Sequence, residues 1–281
     1  MNCRTISRRI LAVALYLVIV ATAVAQPASP VRALMEESGL VRQSAGSDEG
    51  FRQMVVGTAK EAGLLADEYL EPLADISQRA LETERYLDDL EAALIEILTE
   101  KQIASIREFY ASPLGKRALQ AEIAGSTSEV VDEINATGEK LRAEAERDSA
   151  RTALMRRMDE QFHFSEASAD WFAMADLVVA EAALLSVSPG DPAEGLAAAR
   201  RMVELQREDR VETFRDQTTA SFTRIYRDLS TSDLADYVEF LEAGPAAEFY
   251  AAYYAADLRI MDQRIEEIRE RFAEYVRQKK A

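Results

Sequence analysis

Gly115-Lys116 pairs the two residue types that end a phosphate-binding loop. No glycine stands five residues before Gly115, however, and Arg117 occupies the place of the metal-binding hydroxyl, so no nucleotide loop is predicted. His163 is the single histidine and lies between Phe162 and Phe164, where it reads as a member of an aromatic cluster rather than as a base or ligand. A zinc site needs ligands beyond one histidine, and a serine triad needs a nucleophile elbow that the chain lacks. Carboxylates abound, as at Asp88-Asp89 and Glu266-Glu267, but an acid–base pair is defined by burial that separates two pKa values, so these read as solvated helix faces. No calcium-loop spacing occurs, and Asn135-Ala136-Thr137 is a chance match to a glycosylation acceptor. The expectation is therefore no catalytic residue, no cofactor and no metal, and a protein that is not an enzyme. A carboxylate, tyrosine or lysine enzyme is the residual alternative.

Stepping outward from these residues, the prolines mark where helices begin. Pro72, Pro113, Pro192 and Pro245 each read as a first-turn residue, a position where the missing N–H has no intrahelical partner anyway. Pro189 falls in a Ser188-Pro189-Gly190 break, and none of the prolines is expected to interrupt a periodic segment. Thr99 with Gln102, Asp191 with Glu194 and Ser230 with Asp233 have capping-box spacing. Between these stops, Leu73, Ile76, Ala80, Leu87, Leu90, Leu94 and Ile97 follow helical steps and predict one long helix, with Thr83 as its polar exception. Leu258, Met261, Ile265, Ile268 and Phe272 repeat the pattern, and the stretch from Leu258 to Val276 reads as a seam for another helix. No alternating β-branched run is bounded by turns, so the fold class is all-α.

The N-terminus reads as an export leader. Arg4, Arg8 and Arg9 precede an apolar run from Ile10 to Ala25, and Ala23-Val24-Ala25 offers the small-x-small cleavage pattern. That run of 16 residues falls short of the roughly 20 that span a bilayer, so a cleaved signal at 1–25 is expected, with an uncleaved anchor as the alternative. Cleavage removes Cys3, the chain's one cysteine, and leaves 256 of the 281 residues. It also removes three arginines, taking the net charge from −17 to −20. Such a surface repels nucleic acid and anionic headgroups.

The remaining chain reads as one helical unit written twice. Met54, Glu61, Ala62, Leu64 and Leu65 recur as Met174, Glu181, Ala182, Leu184 and Leu185 at an offset of 120, and Phe51 corresponds to Trp171. Farther on the offset is 131, where Thr99, Ile103, Glu108 and Phe109 correspond to Ser230, Leu234, Glu239 and Phe240. The predicted organisation is two tandem, diverged helical-bundle repeats packed on each other. The first spans 26–150 and the second 151–281, joined by a continuous or barely broken helix near 147–151.

Leu98-Thr99-Glu100-Lys101-Gln102-Ile103 is followed by Phe109-Tyr110-Ala111-Ser112-Pro113-Leu114-Gly115-Lys116. This stretch, 98–116, resembles the signature of the bacterial domain of unknown function 2059: a leucine-threonine cap, a Phe-Tyr pair, then Ser-Pro-x-Gly-Lys. The resemblance implies an exported helical protein of Gram-negative bacteria with no assigned activity, and it brings no catalytic residues with it. In the second half only Phe240 and a displaced proline, Pro245, survive. The residues themselves read structurally. Ser112 caps a helix that starts at Pro113, Phe109 and Tyr110 give bulk to a core, and Gly115 admits a close neighbour. The functional reading makes Lys116 and the helix start a docking point for an anion.

Phe249, Tyr250, Tyr253, Tyr254, Phe272 and Tyr275, with Phe162, Phe164, Trp171 and Phe172 earlier, are expected in the core or lining an apolar groove between the halves. The function expected is that of a non-enzymatic periplasmic interaction or envelope-maintenance protein with an unknown protein partner. The alternative is a soluble carrier that binds a lipid-like or apolar ligand between the halves. No nucleic acid and no stable membrane span after signal cleavage are expected.

Overall fold

A computed structural model describes residues 29–188 and 193–281. The leader at 1–25, Pro27, Pro189, the Asp191 cap and Pro192 lie outside the described residues. The described residues form fourteen helices and no strand: α1 (Pro30–Glu37), α2 (Leu40–Gln43), α3 (Ser47–Ala62), α4 (Asp67–Ala80), α5 (Thr83–Ile97), α6 (Glu100–Ala111), α7 (Pro113–Gly125), α8 (Ser128–Arg147), α9 (Ser149–Phe162), α10 (Phe164–Val187), α11 (Ala193–Leu205), α12 (Arg207–Ile225), α13 (Thr231–Glu242) and α14 (Gly244–Lys280). The protein is all-α, and none of these helices is long and apolar enough to cross a membrane.

Caps explain most of the boundaries. Thr99 and Ser230 each complete a capping box, with Gln102 and Asp233 respectively, and these open α6 and α13. Ser112 accepts from the Gly115 N–H at 3.1 Å ahead of Pro113. Ser29 caps α1, so Pro30 is also a helix-opening residue. Asp148, the one residue between α8 and α9, accepts from the Arg151 N–H at 3.0 Å, so the junction of the two halves is a barely broken helix.

Two expectations are corrected. Pro72 is not at a helix start but inside α4, where it removes the bond that an N–H would give the Glu68 carbonyl. The turn ahead of it is held by tertiary contacts instead. Tyr69 is buried edge-on against Phe272 and Tyr275 with the Lys279 ammonium 4.6 Å from its ring centre, and Arg52 pairs with Glu71 at 2.5 Å. The predicted long helix is also two helices, α4 and α5, separated at Leu81 and Glu82, where Glu82 leaves the helical region (φ −45°, ψ 124°). The break has a packing reason: Leu73, Ile76 and Ala80 face one core, whereas Leu87, Leu90 and Leu94 face another.

Both cores draw on both halves of the chain. The first combines Leu34 and Met35 of α1, Leu90 of α5 and Ile106 of α6 with Met158 of α9, Tyr237 of α13 and Phe249 of α14. The second combines Phe51 of α3 and Leu73 of α4 with Val178 of α10 and Phe272 of α14. Helix α14 threads both, giving Phe249 to Ile260 to the first core and Met261 to Val276 to the second. The seam read on α14 is thus used inside the chain: Met261, Ile265, Ile268, Phe272 and Val276 are buried in the second core.

Helices α6 and α13 are equal in length, and their bounds lie 131 positions apart. Phe109 of the one stacks on Phe240 of the other, with centroids 3.6 Å apart and planes 5° off parallel. Helix α6 packs on α1 through Arg107 and Glu37 at 2.6 Å, and α13 packs on α9 through Arg157 and Glu242 at 2.6 Å. Positions 37 and 157 lie 120 apart, whereas their partners 107 and 242 lie 135 apart, so the two ion pairs share only one equivalent position.

Candidate functional site

The residues 98–116 form a structural joint. Phe109 and Tyr110 close α6, and Tyr110 is buried in the first core. Gly115 explains itself by distance: a Cβ built there would lie 2.1 Å from the Phe109 carbonyl oxygen and 2.8 Å from Tyr110 Cα. The close neighbour is therefore the end of α6 itself, and no larger residue fits without opening the α6–α7 corner. Lys116 is exposed and makes no ion pair among the described residues. Two of the amides at this helix start are already used, since Gly115 N–H bonds the Ser112 hydroxyl and Lys116 N–H bonds the Ser112 carbonyl. The geometry thus uses Ser112 and Gly115 in the α6–α7 corner and leaves the Lys116 side chain in solvent.

Beneath that corner lies a group that the pattern reading missed. Gly115, Ala118, Glu122 and Gly125 follow helical steps along α7, and all but Glu122 are small and buried. Glu122 keeps an exposed edge, while its Oε1 accepts from Tyr226 Oη at 2.9 Å and from Tyr237 Oη at 2.7 Å. The Tyr110 and Tyr250 hydroxyls share a hydrogen bond alongside. Burial pushes the Glu122 carboxyl up to about 7, against the two hydroxyls that hold it down. Burial also raises all four phenols, which therefore stay protonated as donors. The signal available in the sequence was a single acid on a stripe of small residues.

A second buried acid sits at the middle of α14. Asp257 is 2% exposed, and its two oxygens accept from Tyr86 Oη at 2.8 Å and Trp171 Nε1 at 3.2 Å. Burial raises its carboxyl to about 6, again against its two donors. It follows Tyr250 and Tyr253 on one buried stripe of α14, which is how the sequence marks it. Asp257 lines a cleft between α10, α11 and α14, which runs past Trp171, Leu258 and Met261 to a mouth at Asp170, Glu204, Arg207 and Asp262. At that mouth Arg207 grips Asp170 through two bonds of 2.7 and 3.0 Å, and Tyr254 donates to Asp170 at 2.6 Å. His163, in the left-handed region at φ 52°, stacks on Tyr254 at 4.7 Å.

The other aromatic residues mostly fill the interior. Phe162 meets Tyr250 edge-on at 4.8 Å, and Phe249, Tyr250 and Phe272 are buried. Phe164 and Phe172 are the exceptions, exposed at 49% and 42% along α10. No group of three or more His, Cys, Asp or Glu residues among the described ones is arranged to hold a metal ion.

No curated protein and no solved structure matches the chain. Residues 85–144, from α5 through most of α8, match the model of the family described as "Uncharacterized protein conserved in bacteria (DUF2059)", a segment that includes the 98–116 motif.

Proposed function

We propose that this is a non-enzymatic, exported protein of the bacterial envelope, built on a duplicated helical unit and acting by binding. The observation that carries the reading is where the shifted carboxyls are. Glu122 and Asp257 have the raised pKa values expected of catalytic acids, yet Asp257 is buried with both oxygens held by ring donors, and Glu122, which keeps an exposed edge, gives one oxygen to two tyrosines. A general acid or base must reach a substrate proton within hydrogen-bond distance, and both oxygens of Asp257 are already committed to ring donors. Their work is to tie the halves together. Glu122 of α7 is gripped from α13 and the end of α12, and Asp257 of α14 is gripped from α5 and α10.

A periplasmic address is supported by the leader pattern at 1–25, and an acidic surface suits a soluble envelope protein. The carrier reading, which expected a ligand between the halves, takes its support from a different place: the cleft beside Trp171 lies between α10, α11 and α14, all of the second half. Expression with the native leader in a Gram-negative host, followed by in vivo cross-linking and N-terminal sequencing of the periplasmic fraction, tests the proposal. A product starting at Gln26 and cross-linked to a discrete partner is expected. Retention in the cytoplasm would overturn the address. Turnover of esters, peptides or glycosides that is lost in Asp257→Asn would overturn the non-enzymatic reading.

A further inference from the structure

The cleft between α10, α11 and α14 differs in character from floor to mouth. Its inner part, ≈ 150 Å³, runs over Trp171, Met174, Leu177 and Ile265. Its outer part, ≈ 370 Å³, shares Asp170, Ala173, Val203, Leu258 and Asp262 with the inner one, so the two are continuous. That space is of the order that small-molecule sites occupy, about 300–1,000 Å³.

The charges at the mouth do not cancel. Asp170 is neutralised by Arg207, whose guanidinium is also bonded to Tyr254 at 3.0 Å. Glu204 and Asp262 remain as exposed carboxylates with no cation partner among the described residues. A floor of Trp171, Met174, Leu177 and Ile265 with Asp257 at its edge, under two unmatched acids, favours a ligand with an apolar body and a positive head, and disfavours the same body with a negative one. The chain's net charge of −17 adds a field that draws cations toward it.

We propose that this cleft binds a small amphipathic ammonium compound, with its hydrocarbon body against Trp171, Met174 and Leu258 and its ammonium group between Glu204 and Asp262. The proposal rests on the reading of the protein as a binder, but neither on its export nor on a protein partner.

Trp171 is the only tryptophan of the chain, so intrinsic fluorescence reports directly on the cleft. The purified protein is titrated at low ionic strength with n-octylammonium chloride below its micelle concentration, and with n-octanol and n-octyl sulfate as matched tails. A saturable change in Trp171 emission is expected with the ammonium, about tenfold weaker binding with the alcohol, and none with the sulfate. The double variant Glu204→Gln/Asp262→Asn, changed only at exposed positions, is expected to bind the ammonium no better than the alcohol. Ala173→Phe, whose ring fills the shared wall, is expected to abolish binding while circular dichroism stays helical. Absence of a saturable response to octylammonium in the native protein overturns the proposal, as does equal binding of the alcohol or sulfate. Unchanged affinity in the double variant overturns it too, whatever Ala173→Phe does to folding. Any of these results leaves the protein-partner reading standing, because that reading makes no use of the cleft.

Discussion

Glu122 and Asp257 present the same local chemistry in two different settings. Each is a carboxylate on the buried stripe of a helix, each accepts from two ring donors, and each is raised by burial into the range of a titratable acid. Around Glu122 the helices are close-packed, although the carboxylate keeps an exposed edge: Gly115 and Gly125 let α6 and α12 approach α7, and a Cβ at Gly125 would lie 2.6 Å from the Ile225 side chain. Around Asp257 the packing is open on one side, where Asp257 and Trp171 both line the cleft. A raised pKa therefore does not by itself mark a functional site. What distinguishes the two places is whether a small molecule has room beside the acid, and that is a property of the backbones around it.

The sharpest way to break the comparison is to force the closed region open. Gly115→Ala places a methyl group against the Phe109 carbonyl and should cost about 3 kcal/mol or more, read as a lowered denaturant midpoint, with Trp171 emission unchanged until unfolding. Next in size is the pH dependence. Asp257 is raised in the folded protein relative to the unfolded chain, so its stabilising contribution is complete below about pH 4 and is lost as pH rises through about 6. The loss is on the order of 3 kcal/mol, and Glu122 adds to it in the same direction toward pH 7. Asp257→Asn should flatten the fall in stability between pH 4 and 7; an unaltered profile would show that Asp257 does not carry it.

Smaller effects separate the donors and the caps. Tyr226→Phe and Tyr237→Phe should each cost about 1–2 kcal/mol, and the double variant should depart from their sum because both hydroxyls serve one oxygen. Ser112→Ala should cost about 1 kcal/mol through loss of the bond from Gly115 N–H. Lys116→Ala should stay within about 0.5 kcal/mol, since the ammonium is exposed and unpaired. A large loss there would show that Lys116 has a structural partner.

Much of the architecture was legible from local signals. The capping boxes at Thr99 and Ser230, Pro113 and the apolar stripes fix α6, α7 and α13 because caps and first-turn prolines act within one turn of chain. Pro72 was misread for the same reason. A proline usually opens a helix, and here the turn before it is stabilised by Tyr69 against Phe272 and Tyr275, about 200 positions away in sequence. The break at Leu81 and Glu82 was invisible because the apolar steps are helical on both sides, and only the existence of two cores tells the two stripes apart. The acids Glu122 and Asp257 left a trace as charges on buried stripes, but among 50 acidic residues that trace is weak without the partner rings in view.

By itself the sequence determined the helices and most of their ends, since each of these depends on residue type and on neighbours within a turn or two. Tertiary structure decided which stripe meets which core, which acids are gripped by tyrosine and tryptophan, and where a cleft opens beside Trp171. Those outcomes depend on how distant helices approach each other, on distances such as the few ångströms between Gly115 and Phe109 that no periodicity encodes.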